Sequence, residues 1–241
     1  LDAGIKVVDL SADYRFQDKS IYERWYKTTH TDPSGLEAAV YGLPEIFREE
    51  IKKAILVANP GCYPTSAIVG LAPLLKKDYV HTDDIIIDAK SGISGRGRES
   101  NEDTHYCECN ENIEAYNVGE HRHTPEIENI LSVIGKSETT VCFTPHLVPM
   151  NRGILCTTYV KMKKEISSKE IITLYNDFYS EEPFVRIKTD GKLPKSKDVV
   201  NTNLCEIAIR IVGTRAVILS SIDNLIKGAS GQAVQNMNIM Y

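Results

Sequence analysis

Ile55-Leu56-Val57-Ala58-Asn59-Pro60-Gly61-Cys62-Tyr63-Pro64-Thr65 joins an apolar run to a second apolar stretch, residues 66–75, through a short polar turn. The first run reads as a buried strand and the second as a helix, so the segment is one strand-turn-helix unit of an α/β protein. Pro60 and Gly61 make a tight turn, and Pro64 suits the first turn of a helix, where its missing N–H costs nothing. A cysteine in that turn meets free backbone N–H groups and the positive end of the helix dipole, and both favour its thiolate. Cys62 is therefore the candidate nucleophile, expected to be presented by the turn with a lowered pKa. The competing reading is an inert buried thiol, the commoner fate of a free cysteine.

Working outward, residues 5–10 read as a strand that delivers the polar loop Ser11-Ala12-Asp13-Tyr14-Arg15 at its carboxyl end, where open α/β sheets bind ligands. A short helix over 21–26 carries the only tryptophan, Trp25; a strand at 39–41 and a helix over 44–53 follow. Beyond the cysteine, helical spacing runs from 64 to 77, and a strand over 84–89 opens into Lys90-Ser91-Gly92-Ile93-Ser94-Gly95-Arg96-Gly97-Arg98. Such a Gly-rich loop lets backbone approach a ligand and offers N–H groups to an anion. Residues 125–134 read as a helix after His121-Arg122-His123. Residues 139–143, 153–162, 184–189, 204–212 and 216–221 read as strands, with a helix over 168–179, so a mixed sheet with helices on one face is expected. Residues 145–153 read as a proline-punctuated crossover, and 223–236 as a helix of small residues that allows close approach of a neighbour.

The totals narrow the function classes. A chain of 241 residues with 42% hydrophobic and 25% charged residues can bury a sizeable core. Its net charge of −5, with no basic stripe, argues against nucleic acid as a partner. No apolar run approaches the roughly 20 residues of a membrane span. Six cysteines without a signal-peptide pattern read as reduced thiols of a cytoplasmic protein. Cys107 and Cys109 stand near His105, His121 and His123, but their spacing fits no zinc pattern, so no metal is expected and the histidines read as acid/base or substrate-binding groups.

Five motifs stand in fixed order: DLSADYR (9–15), NPGCYPT (59–65), KSGISGRGR (90–98), HRHTPEI (121–127) with FTPHLVPMNRGIL (143–155), and DNLIKGASGQAVQN (223–236). Together they resemble the N-acetyl-γ-glutamyl-phosphate reductase family, relatives of aspartate-semialdehyde dehydrogenase. The resemblance implies the last part of a Rossmann-type NADP domain (1–61 and 224–241). It also implies an α/β catalytic and oligomerisation domain (62–223) with a mixed, largely antiparallel sheet, glyceraldehyde-3-phosphate-dehydrogenase-like, in a homodimer or homotetramer. It implies NADPH-dependent reduction of a small anionic acyl phosphate through a thioacyl enzyme, with release of phosphate, in arginine biosynthesis. Cys62 matches the family's nucleophile and His123 its acid/base, with His121, Arg98, Arg122 and Arg152 on the substrate and Ser91, Gly92 and Asn224 by the cofactor. Arg96 stands where a small residue is usual. Because no Gly-rich pyrophosphate turn precedes Leu1, the chain is expected to be truncated at its N-terminus. Aspartate-semialdehyde dehydrogenase, a reductase of carrier-bound amino-acid phosphates, a cofactor-free cysteine hydrolase and a non-catalytic oligomerisation fragment are the alternatives.

Overall fold

The computed structural model describes residues 4–99 and 102–241. Its first half builds a small parallel sheet from β1 (Val7–Asp9), β2 (Ala39–Tyr41) and β3 (Leu56–Ala58), in the order β1-β3-β2. Helices α1 (Lys19–Tyr26), α2 (Pro33–Ala38) and α3 (Pro44–Lys53) lie between these strands in sequence. The central strand β3 is buried throughout, which is what its continuous apolar run demands.

α4 (Cys62–Lys76) starts at the cysteine itself, two residues earlier than Pro64 suggests. Every residue from Tyr63 to Leu75 is buried, so this helix is enclosed on all sides. It packs on β4 (Val80–Gly92), with α5 (Tyr106–Cys109), β5 (Glu114–Ala115), α6 (His123–Gly135), β6 (Val141–Val148) and β7 (Ile154–Met162) following in sequence. The chain ends with α7 (Ser168–Phe178), β8 (Val185–Ile187), α8 (Ser196–Val199), β9 (Cys205–Val212), β10 (Arg215–Ile222), a π-helical turn (Ile226–Ser230) and α9 (Gly231–Met240). The large sheet runs β5-β6-β4-β7-β10-β9-β8. Within this sheet β4/β6 and β8/β9 pair in parallel and the other described ladders are antiparallel, as expected.

Pro73 sits inside α4 and removes the N–H that the Val69 carbonyl would receive. The Tyr179 hydroxyl donates to that carbonyl instead, and Tyr175 donates to the Gly70 carbonyl at 2.7 Å. Helices α4, α6 and α7 cover one face of the large sheet. On the other face Ile86 and Tyr159 are cross-strand partners and are 40% and 36% exposed.

The segment read as a crossover begins as strand: 145–148 belong to β6 and only 149–153 connect it to β7, while the small-residue stretch divides into the π turn and α9. α9 is fastened to the small sheet. Asn236 Nδ2 donates to the Gly42 carbonyl at 2.9 Å and to Asn59 Oδ1 at 3.1 Å, and Gln232 Nε2 donates to the same Gly42 carbonyl. A β-carbon on Gly42 would lie 2.5 Å from Asn236 Nδ2, so only glycine fits there. Lys227, fully buried, donates to Glu45 Oε1 at 2.5 Å and to Gln235 Oε1 at 2.8 Å. Burial pushes the Glu45 carboxyl up, but the Lys227 ammonium outweighs it and holds the group below its ordinary value. Removing one partner of such a pair strands the other charge in the interior. Lys227→Met is therefore expected to lower the urea-unfolding free energy by about 3–5 kcal/mol, with Lys227→Met/Glu45→Met recovering most of it.

Candidate active site

β3 ends at Ala58, Asn59-Pro60-Gly61 turns the chain, and Gly61 caps α4 with Cys62 as its first helical residue. Two glycines let other elements close on this turn. A β-carbon on Gly61 would lie 2.5 Å from His123 Nε2, and one on Gly228 would lie 2.7 Å from Cys62 Cβ. The imidazole and the π turn thus press on the cysteine from both sides. The result reverses the expected pKa: burial pushes the Cys62 thiol up to about 11, against the opposing pull of the Tyr63 N–H and the Arg15 guanidinium. Enclosure outweighs the helix terminus, and Cys62 is half-buried rather than presented.

His121 and His123 are neighbours, with ring centroids 4.8 Å apart. The His123 N–H donates to His121 Nδ1 at 3.1 Å, which leaves His121 its proton on Nε2. Tyr63, Tyr116 and Phe143 meet the His121 ring edge to face. Burial pushes His121 down to about 3, helped by His123 and Arg122; it pushes His123 to about 3 as well, helped by Arg15 and Arg122. Both rings are neutral at neutral pH, and His123 Nδ1 is buried without a hydrogen-bond partner.

Under this pair lies a network that local sequence patterns do not announce. Glu126 Oε1 accepts from the Gly61 N–H at 2.8 Å and from the Tyr41 hydroxyl at 2.8 Å, while Oε2 pairs with Arg15 Nη1 at 3.1 Å. Arg15 and Glu126 both fall inside the motifs, but nothing in their spacing says that they touch.

A cleft of about 700 Å³ opens beside the histidines, lined among others by Arg15, Arg96, Tyr116, His121, Arg122 and His123. Arg122 stacks over the Tyr26 ring at 5.1 Å; Arg96 lies over Tyr116 at 5.1 Å and pairs with Asp103. Arg98 is exposed and outside this lining. Arg152 is also outside it, donating to Asn201 Oδ1 at 2.8 Å with Asp223 at 3.5 Å. Ser91, Gly92 and Asn224 come together: Asn224 accepts from the Gly153 N–H at 2.7 Å and donates to Ser94 Oγ at 3.0 Å, and the Gly92 N–H donates to the Gly153 carbonyl. Gly95, on the cleft wall, abuts Ser91 Oγ and faces Asn224. Among the described residues no three His, Cys, Asp or Glu side chains gather as a metal site.

Known proteins resemble this chain in sequence and in fold. Residues 1–54 match the family described as semialdehyde dehydrogenase, NAD binding domain, and residues 62–224 match semialdehyde dehydrogenase, dimerisation domain. Similar curated proteins are N-acetyl-gamma-glutamyl-phosphate reductases of Desulforudis audaxviator (54% identical), Symbiobacterium thermophilum (51%) and Geobacter metallireducens (53%), each alignment covering 100% of this chain and 70% of the relative. Among solved structures, aspartate semialdehyde dehydrogenase II from Vibrio cholerae superposes with a TM-score of 0.73 at 16% identity, covering 99% of this chain and 73% of that one. A probable aspartate-semialdehyde dehydrogenase from Pseudomonas aeruginosa gives 0.71 at 15%, with the same coverage.

Burying two neutral histidines ties stability to pH. Their folded pKa values lie below the ordinary 6.5, so the unfolded chain binds more protons between the two values, and stability is lost as pH falls from 6.5 toward 3. Wild-type Tm is expected to fall over that window more steeply than that of His121→Gln/His123→Gln, as thermal melts across the range will show.

Proposed function

The chain belongs to the semialdehyde dehydrogenase family, among its N-acetyl-γ-glutamyl-phosphate reductases, and from that membership we propose that Cys62 and His123 carry an NADPH-dependent reduction of N-acetyl-γ-glutamyl phosphate. The observation that carries this reading is the His123 ring packed on Gly61, one residue from the thiol, with a buried nitrogen left unpartnered. A neutral imidazole beside a neutral thiol is a base waiting for its proton. As Cys62 Sγ attacks the acyl carbon, His123 takes the thiol proton, the carbon–sulfur bond forms, and the carbon–oxygen bond breaks with its electron pair leaving on phosphate. His121, donating from Nε2, and Arg122, with its planar fork, suit the substrate's carbonyl and anionic groups. Arg98, on the loop after β4, is a further anion contact, whereas Arg152 would first have to leave Asp223 and Asn201.

We assign the nicotinamide cofactor to the side of the cleft at Gly95, behind which Ser91, Gly92 and Asn224 are buried. A β-carbon on Gly95 would lie 2.7 Å from Ser91 Oγ, so a glycine is what lets the exposed backbone here sit directly on that buried hydroxyl. NADPH, when bound, supplies hydride to the thioester carbonyl. Cys62 then departs as thiolate and recovers its proton from His123, leaving the semialdehyde. We assign the reaction to arginine biosynthesis in the cytoplasm, a compartment that suits six free cysteines.

The uncovered face of the large sheet is the surface we assign to a second copy of the chain, since it belongs to the segment matched as a dimerisation domain and carries Ile86, Tyr159 and their neighbour Val217. Two outcomes test these assignments. Cys62→Ser should lower phosphate-dependent oxidation of N-acetylglutamate semialdehyde by about a thousandfold or more, followed as NADPH absorbance; unchanged turnover would falsify the mechanism. Ile86→Arg/Tyr159→Arg should elute as a monomer on size exclusion where the parent elutes as an oligomer.

A further inference from the structure

We propose that Arg15 is a positioning residue of this site, its guanidinium fixing the turn before Cys62 against Glu126 and His123 and supplying the positive charge beside the thiol. The proposal rests on the reading of Cys62 as nucleophile. The Arg15 side chain is only 8% exposed and spends its donors on three separate elements. Nε donates to the Asn59 carbonyl at 2.8 Å, Nη2 to the Leu10 carbonyl at 3.2 Å and Nη1 to Glu126 Oε2 at 3.1 Å. These acceptors mark the end of β1, the turn after β3 and the first turns of α6.

The same turn is held from its other side. Glu126 takes the Gly61 N–H, and Pro60, between Asn59 and Gly61, has no N–H to give. Both backbone groups that flank the proline, the Asn59 carbonyl and the Gly61 N–H, are thus satisfied by one member each of a single ion pair. His123 rides on the helix that bears Glu126, so a shift of the pair would move the thiol and the imidazole relative to each other. A lysine could not replace Arg15: it brings one point of charge where a fork serves three acceptors at set angles. An ion pair buried this deeply adds little net stability, because desolvation offsets its attraction. What it supplies is position and field.

The groups facing the thiol come from every element packed on it. The loop after β1 brings Arg15, α6 brings Glu126 and His123, α4 itself brings Tyr63, and the segment after β5 brings Tyr116. The π turn presents Gly228, its Lys227 being tied to Glu45. Of these, Arg15 favours the thiolate and Glu126 opposes it.

The opposite signs give a test that a merely structural role would not pass. Iodoacetamide labelling of Cys62, followed by mass spectrometry of its peptide from neutral pH to about pH 11, reads the thiol's titration without cofactor or substrate. Arg15→Gln is expected to move the midpoint upward and slow labelling at neutral pH by about tenfold, the equivalent of one pH unit. Glu126→Gln keeps an acceptor for Gly61 and should move the midpoint downward. Arg15→Gln/Glu126→Gln, with neither charge of this pair left, should return toward the parent and keeps the test open if Arg15→Gln alone does not fold. In the reductase assay Arg15→Gln should lower kcat with KM little changed. Shifts in the same direction for the two single variants, or a double variant displaced as far as a single one, would overturn the proposal. Activity surviving in Cys62→Ser would instead sink the nucleophile assignment while leaving the labelling result standing.

Discussion

The fold depends on enclosing α4. A helix apolar on all its faces has no surface to offer water, so it is stable only when a sheet closes one side and other helices close the rest. At roughly 1.5–3 kcal/mol for each fully buried large apolar side chain, Ile68, Val69, Leu71, Leu74 and Leu75 make this the strongest single reason for the large sheet to form where it does. The enclosure has a chemical consequence. Its one interior proline would leave the Val69 carbonyl stranded, and Tyr179 on the neighbouring segment supplies the missing donor. Its N-terminus, the end that emerges from the core, is where the chain arrives from the small sheet, and there stands Cys62.

That junction explains which features were legible in the sequence. The strand-turn-helix around Cys62 is local, written in an apolar run, a Pro-Gly turn and a second apolar run, and it emerges with only its helix start displaced. The mixed sheet with helices on one face follows from periodicity in the same way. Residues 145–148 are a different case: Pro145 suggests a break, yet it lies within β6. Its carbonyl accepts from Tyr116 on the β5 side, so the N–H it lacks would also point there, where the two-residue β5 has already ended. A proline costs nothing at an edge, and sequence alone does not say which strand borders one.

The thiol is the sharper lesson. A cysteine at a helix N-terminus is expected to ionise easily, an argument about a local dipole worth about a pKa unit or less. Burial is a tertiary effect and larger, and it comes from Gly61 and Gly228, whose missing side chains let His123 and the π turn close in. The motif marks those glycines but not what approaches them. Arg15 and Glu126 are likewise visible as letters and invisible as a pair, because 111 positions separate them.

The site also explains why both sheets are needed. Cys62 follows β3 of the small sheet, whereas His121 and His123 lead into α6, which packs on α4 over the large one. Their alignment is therefore set by how the two sheets meet. Three clamps bear on that meeting: Arg15 with Glu126 and Lys227 with Glu45 join the two parts, and Asn236 with Gly42 and Asn59 ties α9, which follows the π turn, to the small sheet. Each spans a long stretch of chain, and each pays desolvation that an apolar contact would avoid. Apolar packing can slide by part of an ångström at little cost, but a buried charge or amide loses its partner when it does. A neutral thiol and a neutral imidazole exchange a proton only when donor and acceptor meet within about 3 Å. A junction held by directional polar contacts keeps that separation, and the chemistry at Cys62 requires it.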